Sequence, residues 1–477
     1  MKRWHIVAMV CMVALLCLLG VHVTMAHGLA VGVAFGTTEI SDIDELQKII
    51  YDGTVIDQVV TDSELMDQFL ENTDVEADET TGGYYIKRAH IIGLPGGVGA
   101  RAEGDYIPEG DAAKFINSII YLKKYQAIVG PITGDVMRRI KNDDGAYADY
   151  MEQAMPWTVE RLTNTLDADY IGYGASIRSR AVGTPSLIGA GVYDLVIDSA
   201  MGISDYEDPW LQHLVNERLV FSTTAAGTVL KVGTNRSALV LGVDPETNTL
   251  RLGMDAVLAG NIADDDFIFP GDNAGTSSQN AGTDRALQGL TAAVDDGGIL
   301  DTYLTVDRTD PVNRSFCGLV IEADDAPWNG EMSDDLLVYA DQQARVRNAA
   351  RVNLIVASLS AANSYWKSLK GDRVFNDPQR YVGGKRPIDI ALGDRIVGIK
   401  EARKLPPQLV FGLTTASFTR HHLGRFLWDD ITGSIWNRVV DANGRKDEFY
   451  AAGNMYEQLS CKNPMKNWRI DKLSKVQ

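Results

Sequence analysis

The side chains of this chain that could do chemistry stand at spacings that chemistry does not use. His421 and His422 are adjacent, so a strand would send them to opposite faces and no metal could take both from one side. The seven histidines are scattered, and no His-Glu-x-x-His occurs. Asp264-Asp265-Asp266 offers hard oxygen ligands without the spacing of an EF-hand loop, and reads as a solvated turn. Gly97-Val98-Gly99-Ala100-Arg101-Ala102 is spelled like part of a dinucleotide fingerprint, but it leads into further strand pattern and not into a helix, so it reads as a loop tip. Gly383-Gly384-Lys385 lacks the earlier glycine and the Ser/Thr of a phosphate loop and reads as a turn. Cys11, Cys17, Cys317 and Cys461 form no C-x-x-C and support no disulfide framework. No Gly-x-Ser-x-Gly elbow is present. Asn235-Arg236-Ser237 and Asn313-Arg314-Ser315 are glycosylation sequons by spelling only. The expectation is a protein with no catalytic, cofactor-binding or metal-ligating residues.

Composition is ordinary for a soluble globular protein and argues against disordered and fibrous classes. A length of 477 residues at 45% hydrophobic content allows two or three domains with sizeable cores. The net charge of -19 argues against a protein that grips nucleic acid, because phosphate affinity needs a concentrated Lys/Arg footprint; it does not argue against a container around DNA. The charge is uneven: residues 341–477 carry 23 Lys/Arg against 13 Asp/Glu, and residues 1–340 carry 22 against 51. Such a split describes either differently solvated faces or patches that meet between copies of the chain.

The elements that must position these side chains follow from pattern. Lys2-Arg3, the apolar run Ile6 to Leu19 and Thr24-Met25-Ala26 fit a secretory signal cleaved after Ala26; equally, translation could begin at Met25. The run is short against the ~20 apolar residues of a membrane span, and no second such stretch follows, so no membrane protein is expected. Ser41-Asp42-Ile43-Asp44 and Thr61-Asp62-Ser63-Glu64 open two short helices, through Ile50 and Leu70. Strand pattern from Tyr84 to Ile92, a glycine-rich break, and strand pattern from Phe115 to Val129 predict a long hairpin, with charges at Arg101, Glu103 and Asp105 that would guard a free edge. Tyr147, Tyr150, Met151, Ala154, Met155, Val159, Leu162 and Leu166 recur at helical spacing, with Pro156 as a kink or restart and Tyr170-Ile171-Gly172 as the stop. Short β-like runs between Leu219 and Pro270 predict a small β subdomain, and Gly271 to Asp284 reads as a polar loop. A helix over Ser333 to Ala349, a strand over Asn353 to Ala357 and a helix over Leu359 to Leu369 predict an α/β segment.

This order of parts resembles the major capsid proteins of tailed bacteriophages with the Hong Kong 97 fold, from about residue 40 to the C-terminus. The hairpin with Ala100-Arg101-Ala102-Glu103-Gly104 and Ile119-Ile120-Tyr121-Leu122-Lys123-Lys124 is similar to the family's extended loop, and the Tyr147 to Leu166 stripe to its spine helix. Ala286 to Leu290, Val294-Asp295 and Tyr303 to Arg308 are similar to a pattern in the middle of such proteins. The Ser333 to Leu369 segment is similar to the axial domain, and Trp428 to Trp436, Asp447 to Tyr450 and Asn467 to Ile470 to the terminal strands and loops.

The leader (1–26) lies outside the resemblance, which implies an α+β chain with an N-terminal arm (27–80), an extended loop (81–133), a spine helix with peripheral domain (134–215), a β insertion (216–275), an axial domain returning to the peripheral domain (276–425) and a C-terminal segment (426–477). It implies a shell subunit that forms hexamers and pentamers around double-stranded DNA, assembled in a host cytoplasm with a separate scaffold protein, a portal and a maturation protease. Arg101, Glu103, Lys123 and Lys124 are the expected intersubunit residues, with early assembly weakened by salt. The family can also crosslink a loop lysine to a neighbour's asparagine; no motif selects Lys87, Lys114 or another lysine for that role. An exported enzyme or binding protein, suggested by the leader, and an encapsulin-like nanocompartment are the alternatives.

Overall fold

The computed structural model describes residues 85–96, 98–100, 103, 110–135, 150–271, 286–368, 388–393, 395–422, 426–429, 435–441 and 444–475. The leader, the two capped helices expected over residues 41–70, and the turn at Gly383-Gly384-Lys385 lie outside them. The chain is strand-rich α+β.

Strand β1 (Tyr85–Gly93) pairs antiparallel with β2 (Lys114–Tyr121), from Tyr85 opposite Tyr121 to Gly93 opposite Lys114, and the two form a sheet of their own. The expected hairpin ran on to Val129; the observed one stops at Tyr121. Beyond Leu122, β3 (Lys123–Thr133) leaves the ribbon and pairs with the long C-terminal strand Gly444–Cys461. The physical reason lies in its alternation: Tyr125, Ala127 and Val129 are buried while Lys124, Gln126 and Ile128 are exposed, so β3 has a core face that only a packed sheet can cover.

Helix α1 (Tyr150–Ile171) carries the described part of the predicted stripe, with Ala154, Leu162 and Leu166 buried and Met155 and Val159 half-buried, while Tyr147 lies outside the described residues. It runs through Pro156 without a restart and stops as predicted, the Gly172 N–H donating to the Ala168 and Asp169 carbonyls. Its last turn is buried on all sides, because Gly289 comes so close that a Cβ there would sit 2.2 Å from the Tyr170 carbonyl oxygen.

The β-rich region expected over residues 216–275 forms a closed barrel together with two earlier strands. Strands β4 (Ser179–Gly189), β5 (Val192–Asp198), β6 (Arg218–Ser222), β7 (Ala238–Asp244), β8 (Thr249–Gly253) and β9 (Phe267–Pro270) close a barrel in the order β4-β5-β8-β7-β6-β9. Closure depends on β4 pairing with β9, some ninety residues away, which local pattern cannot reveal. The barrel has its own core, built on Leu195, Ile197, Phe221, Val240, Leu252 and Ile268. Helix α2 (Ala256–Asn261), capped by the Asp255 side chain on the Leu258 N–H, plugs one end with Leu258 and Ala259.

After one helical turn, α3 (Leu290–Ala293), and a two-residue hairpin of β10 (Thr302–Tyr303) with β11 (Val306–Asp307), a mixed sheet forms. It comprises β12 (Leu319–Glu322), β13 (Leu354–Ser358), β14 (Ile388–Leu392), β15 (Arg395–Ala402), β16 (Val410–Leu413) and, from the far C-terminus, Trp468–Asp471. Helix α4 (Asp334–Asn348), capped by Ser333 with acids in its first turn and arginines in its last, and α5 (Leu359–Ser368) cover one face of it. The expected helix, strand and helix are all present here. Strand β13 is buried throughout because its two faces serve two cores: Ile355 and Ala357 meet the helices, while Leu354 and Val356 join the core of α1 and the second sheet.

That second sheet is organised by one strand. After β17 (Phe418–His422), β18 (Leu427–Trp428) and β19 (Trp436–Asp441), the strand β20 (Gly444–Cys461) pairs with all three and with β3. The C-terminal segment is therefore not a separate unit: β20 belongs to the body, and β21 (Trp468–Asp471) lies inside the mixed sheet between β12 and β16. Among the described residues no helix is long and apolar enough to cross a membrane.

Candidate functional site

The β1–β2 ribbon has one face tied to the body and one left open. On the tied face, Ile120 is fully buried and Ile86 and Ile116 pack against the main core. Arg88 Nη1 donates to Ser460 Oγ at 3.2 Å, His90 lies edge-on to Phe316, and the Ile119 N–H donates to the Leu304 carbonyl at 3.0 Å. On the open face Lys87 and Ala89 are exposed, and Ile91 and Phe115, a directly opposed pair, are each 60% exposed. Beyond them Leu94 is 84% exposed. Among the described residues the outer edges of both strands have no ladder partner. An apolar cross-strand pair in water on an isolated ribbon is a contact waiting for a surface.

The expected intersubunit charges divide. Glu103 is exposed in the tip region, and Arg101 lies outside the described residues. Lys124 is exposed opposite Tyr456, and Lys123 lies half-buried opposite Glu457, both at the start of β3. The structure thus places Lys123 and Lys124 at the base of the ribbon, at the opposite end from Glu103, and not on the hairpin. Lys123 and Tyr121 line a cleft of about 520 Å³ with Ile119, Leu304 and the buried Gln458.

The body that carries the ribbon is braced by buried ionic clusters that sequence reasoning missed. Glu457 on β20 is fully buried and accepts from Arg420 of β17 and from the Tyr170 hydroxyl of α1. Asp169 accepts from Arg178 Nη1 at 3.1 Å and from the Tyr125 hydroxyl at 2.9 Å, and Tyr125 in turn accepts from the Leu287 N–H. Burial, then the Asp169 charge, pushes the Tyr125 phenol well above its ordinary value, so it stays a donor. In the third cluster Arg469 donates to Asp295 at 3.2 Å, to Asp471 at 2.9 Å and to the Thr291 and Val294 carbonyls. Arg308 caps the same helical turn through the Ala292 and Ala293 carbonyls and stacks 4.5 Å over the Tyr303 ring. Asp295, Tyr303, Arg308 and Arg469 lay within the strings Val294-Asp295, Tyr303 to Arg308 and Asn467 to Ile470; their mutual contact is long-range and has no sequence signal. Each cluster pins segments far apart in the chain, and none opens to a substrate.

The triple aspartate is a partnered turn: Asp264 accepts from the Gly183 N–H, Asp265 pairs with Arg180, and Asp266 pairs with Lys231 and accepts from the Ala263 N–H. His421 is buried and hydrogen-bonds Ser460, while His422 turns to the other face, as strand geometry requires. Among the described residues, Glu322, Asp324 and Asp325 are close enough to share an ion, but all are exposed and Lys472 already pairs with Glu322 and Asp324. Cys317 and Cys461 are free buried thiols.

No family model matches this chain, and no curated protein matches it. Solved structures do. A chain of the cyanophage A-1(L) capsid asymmetric unit covers 90% of this chain and 98% of its own length, at 9% identity and a TM-score of 0.50. The capsid of a native GTA particle gives 92% and 100% coverage, 8% identity and a TM-score of 0.43. The holo-SrpI encapsulin complex of Synechococcus elongatus gives 93% and 98%, 8% and 0.39. The first likeness shows the fold: this chain is built as a phage capsid chain is built.

Proposed function

We propose that this chain is the major capsid protein of a tailed phage, a structural subunit that self-assembles into the hexamers and pentamers of an icosahedral head around double-stranded DNA. The observation that carries the reading is the β1–β2 ribbon on a capsid fold, anchored on one face and presenting the exposed Ile91–Phe115 pair on the other. In this reading the ribbon is the extended loop lying over a neighbouring copy, α1 is the spine helix, the mixed sheet with α4 and α5 is the axial domain, and the β4–β9 barrel is an insertion. Burying one such side chain contributes about 1.5–3 kcal/mol, and repetition over a shell turns this small gain into strong association. Glu103, Lys124, Arg101 and Lys123 add ionic steering between copies; a separate scaffold, a portal and a protease complete assembly in the host cytoplasm, and the virion is its destination. No enzymatic role is proposed.

The test is the Ile91→Asp, Phe115→Lys chain, which removes the apolar pair and leaves an attractive cross-strand pair in its place. It is expected to melt at the wild-type temperature, since both side chains are exposed in the subunit, and to lose particles in a sucrose gradient. Particles at wild-type yield would contradict the reading.

A further inference from the structure

The outer wall of the barrel is the second place where apolar side chains face water. Val196 on β5 is 45% exposed, and Ile188 at the end of β4 and Leu241 on β7 are exposed as well. A closed barrel has no free edge, so this wall can recruit a partner through side chains only. At its centre Asp194 of β5 and Arg251 of β8 stand directly opposite each other in register, joined by two bonds, Nε to Oδ1 at 3.0 Å and Nη2 to Oδ2 at 3.2 Å. Arg251 remains 55% exposed on its outer side.

We propose that this wall is a two-fold contact between the barrels of two copies of the chain. The occupant follows from the pattern of charge. An isologous contact must complement itself, and a two-fold axis along the strands, midway between β5 and β8, lays Asp194 of each copy over Arg251 of the other. The same operation exchanges β4 with β7, which brings Ile188 over Leu241 and so pairs apolar with apolar across both sides of the charged centre. A partner of uniform charge would meet repulsion from one member of the Asp194–Arg251 pair. A second copy meets attraction from both, and the four charges form a closed square. The inference rests on the shell reading and adds to it a contact made by the barrel, separate from the ribbon.

The test uses the full chain carrying Asp194→Arg or Arg251→Asp, each expressed alone and then mixed. One variant wall holds only cations and the other only anions, so each repels itself and attracts the other. Each alone is expected to lose at least fivefold in particle yield by sedimentation, and the mixture to return to within about twofold of wild type. Singles that assemble like wild type overturn the inference, and so do singles that fail both alone and mixed, because the ion pair then acts within one chain. Should either single melt well below wild type, Leu241→Glu decides: it leaves the ion pair intact, so a loss of yield supports the contact and an unchanged yield overturns it. Wild-type chains that build no particles would instead remove the shell reading itself.

Discussion

His213 shows what the buried polar residues of this protein cost and what they supply. Its Nε2 is 2.8 Å from Ser179 Oγ, its Nδ1 has no partner, and burial followed by the charge of Arg178 pushes it down to about 3. His421, buried beside Arg88, Lys462 and His422, is pushed down to about 4. An unfolded chain protonates its histidines near ~6.5, and the folded chain refuses those protons. The folded pKa values are depressed, so this contribution is intact above about pH 6.5 and falls by up to about 1.4 kcal/mol per pH unit per histidine as the pH drops toward 4. His213→Gln removes one such group, so its melting temperature is expected to fall less steeply than that of wild type between pH 6.5 and 4; parallel slopes would contradict this. At this scale the sequence was least informative. Asp295, Arg308 and Arg469 are ordinary residues in ordinary strings, and only the fold joins them. The charges singled out from their spelling, Glu103 and Lys124, are exposed, whereas the arginines that do most for the architecture are buried.

Elements were legible where a single segment decides its own structure. The α4 cap at Ser333, the stop of α1 at Gly172 and the adjacent β13 and α5 all follow from local chemistry. Strand partnership was not legible: β3 reads as a continuation of β2 because both alternate, and only its pairing with β20 assigns it to the body. The barrel start was missed for the same reason, since β4 finds β9 across most of the barrel's length of chain. The sheet's tightest cross-strand contact offers a prediction at this level. Trp468 on β21 lies opposite Gly412 on β16, and a Cβ on Gly412 would sit 2.0 Å from the indole Cε2. The ring is fully buried in the core under α4 and cannot swing away. Gly412→Ala is expected to destabilise the chain by about 1–3 kcal/mol in urea unfolding, with the ribbon contacts untouched; a midpoint equal to wild type would show that the sheet yields.

As a whole molecule, the chain resembles a set of braced parts with several faces unfinished. Its cores are separate, one in the barrel, one under α4 and α5, and one between α1 and the two sheets, and the buried ionic clusters tie that last core together. The ribbon and the barrel wall carry the apolar surface that a solitary protein would hide. The hairpin and the helix on which the sequence likeness rested are both present, although the hairpin is shorter than its pattern and the C-terminal strands reach into both sheets. The most direct measurement is electron microscopy of the purified chain, expressed in full and from Met25, with neighbouring genes present and absent. Closed icosahedral shells or ring-shaped capsomers are the predicted result, whereas a monodisperse monomer under every condition would contradict the account.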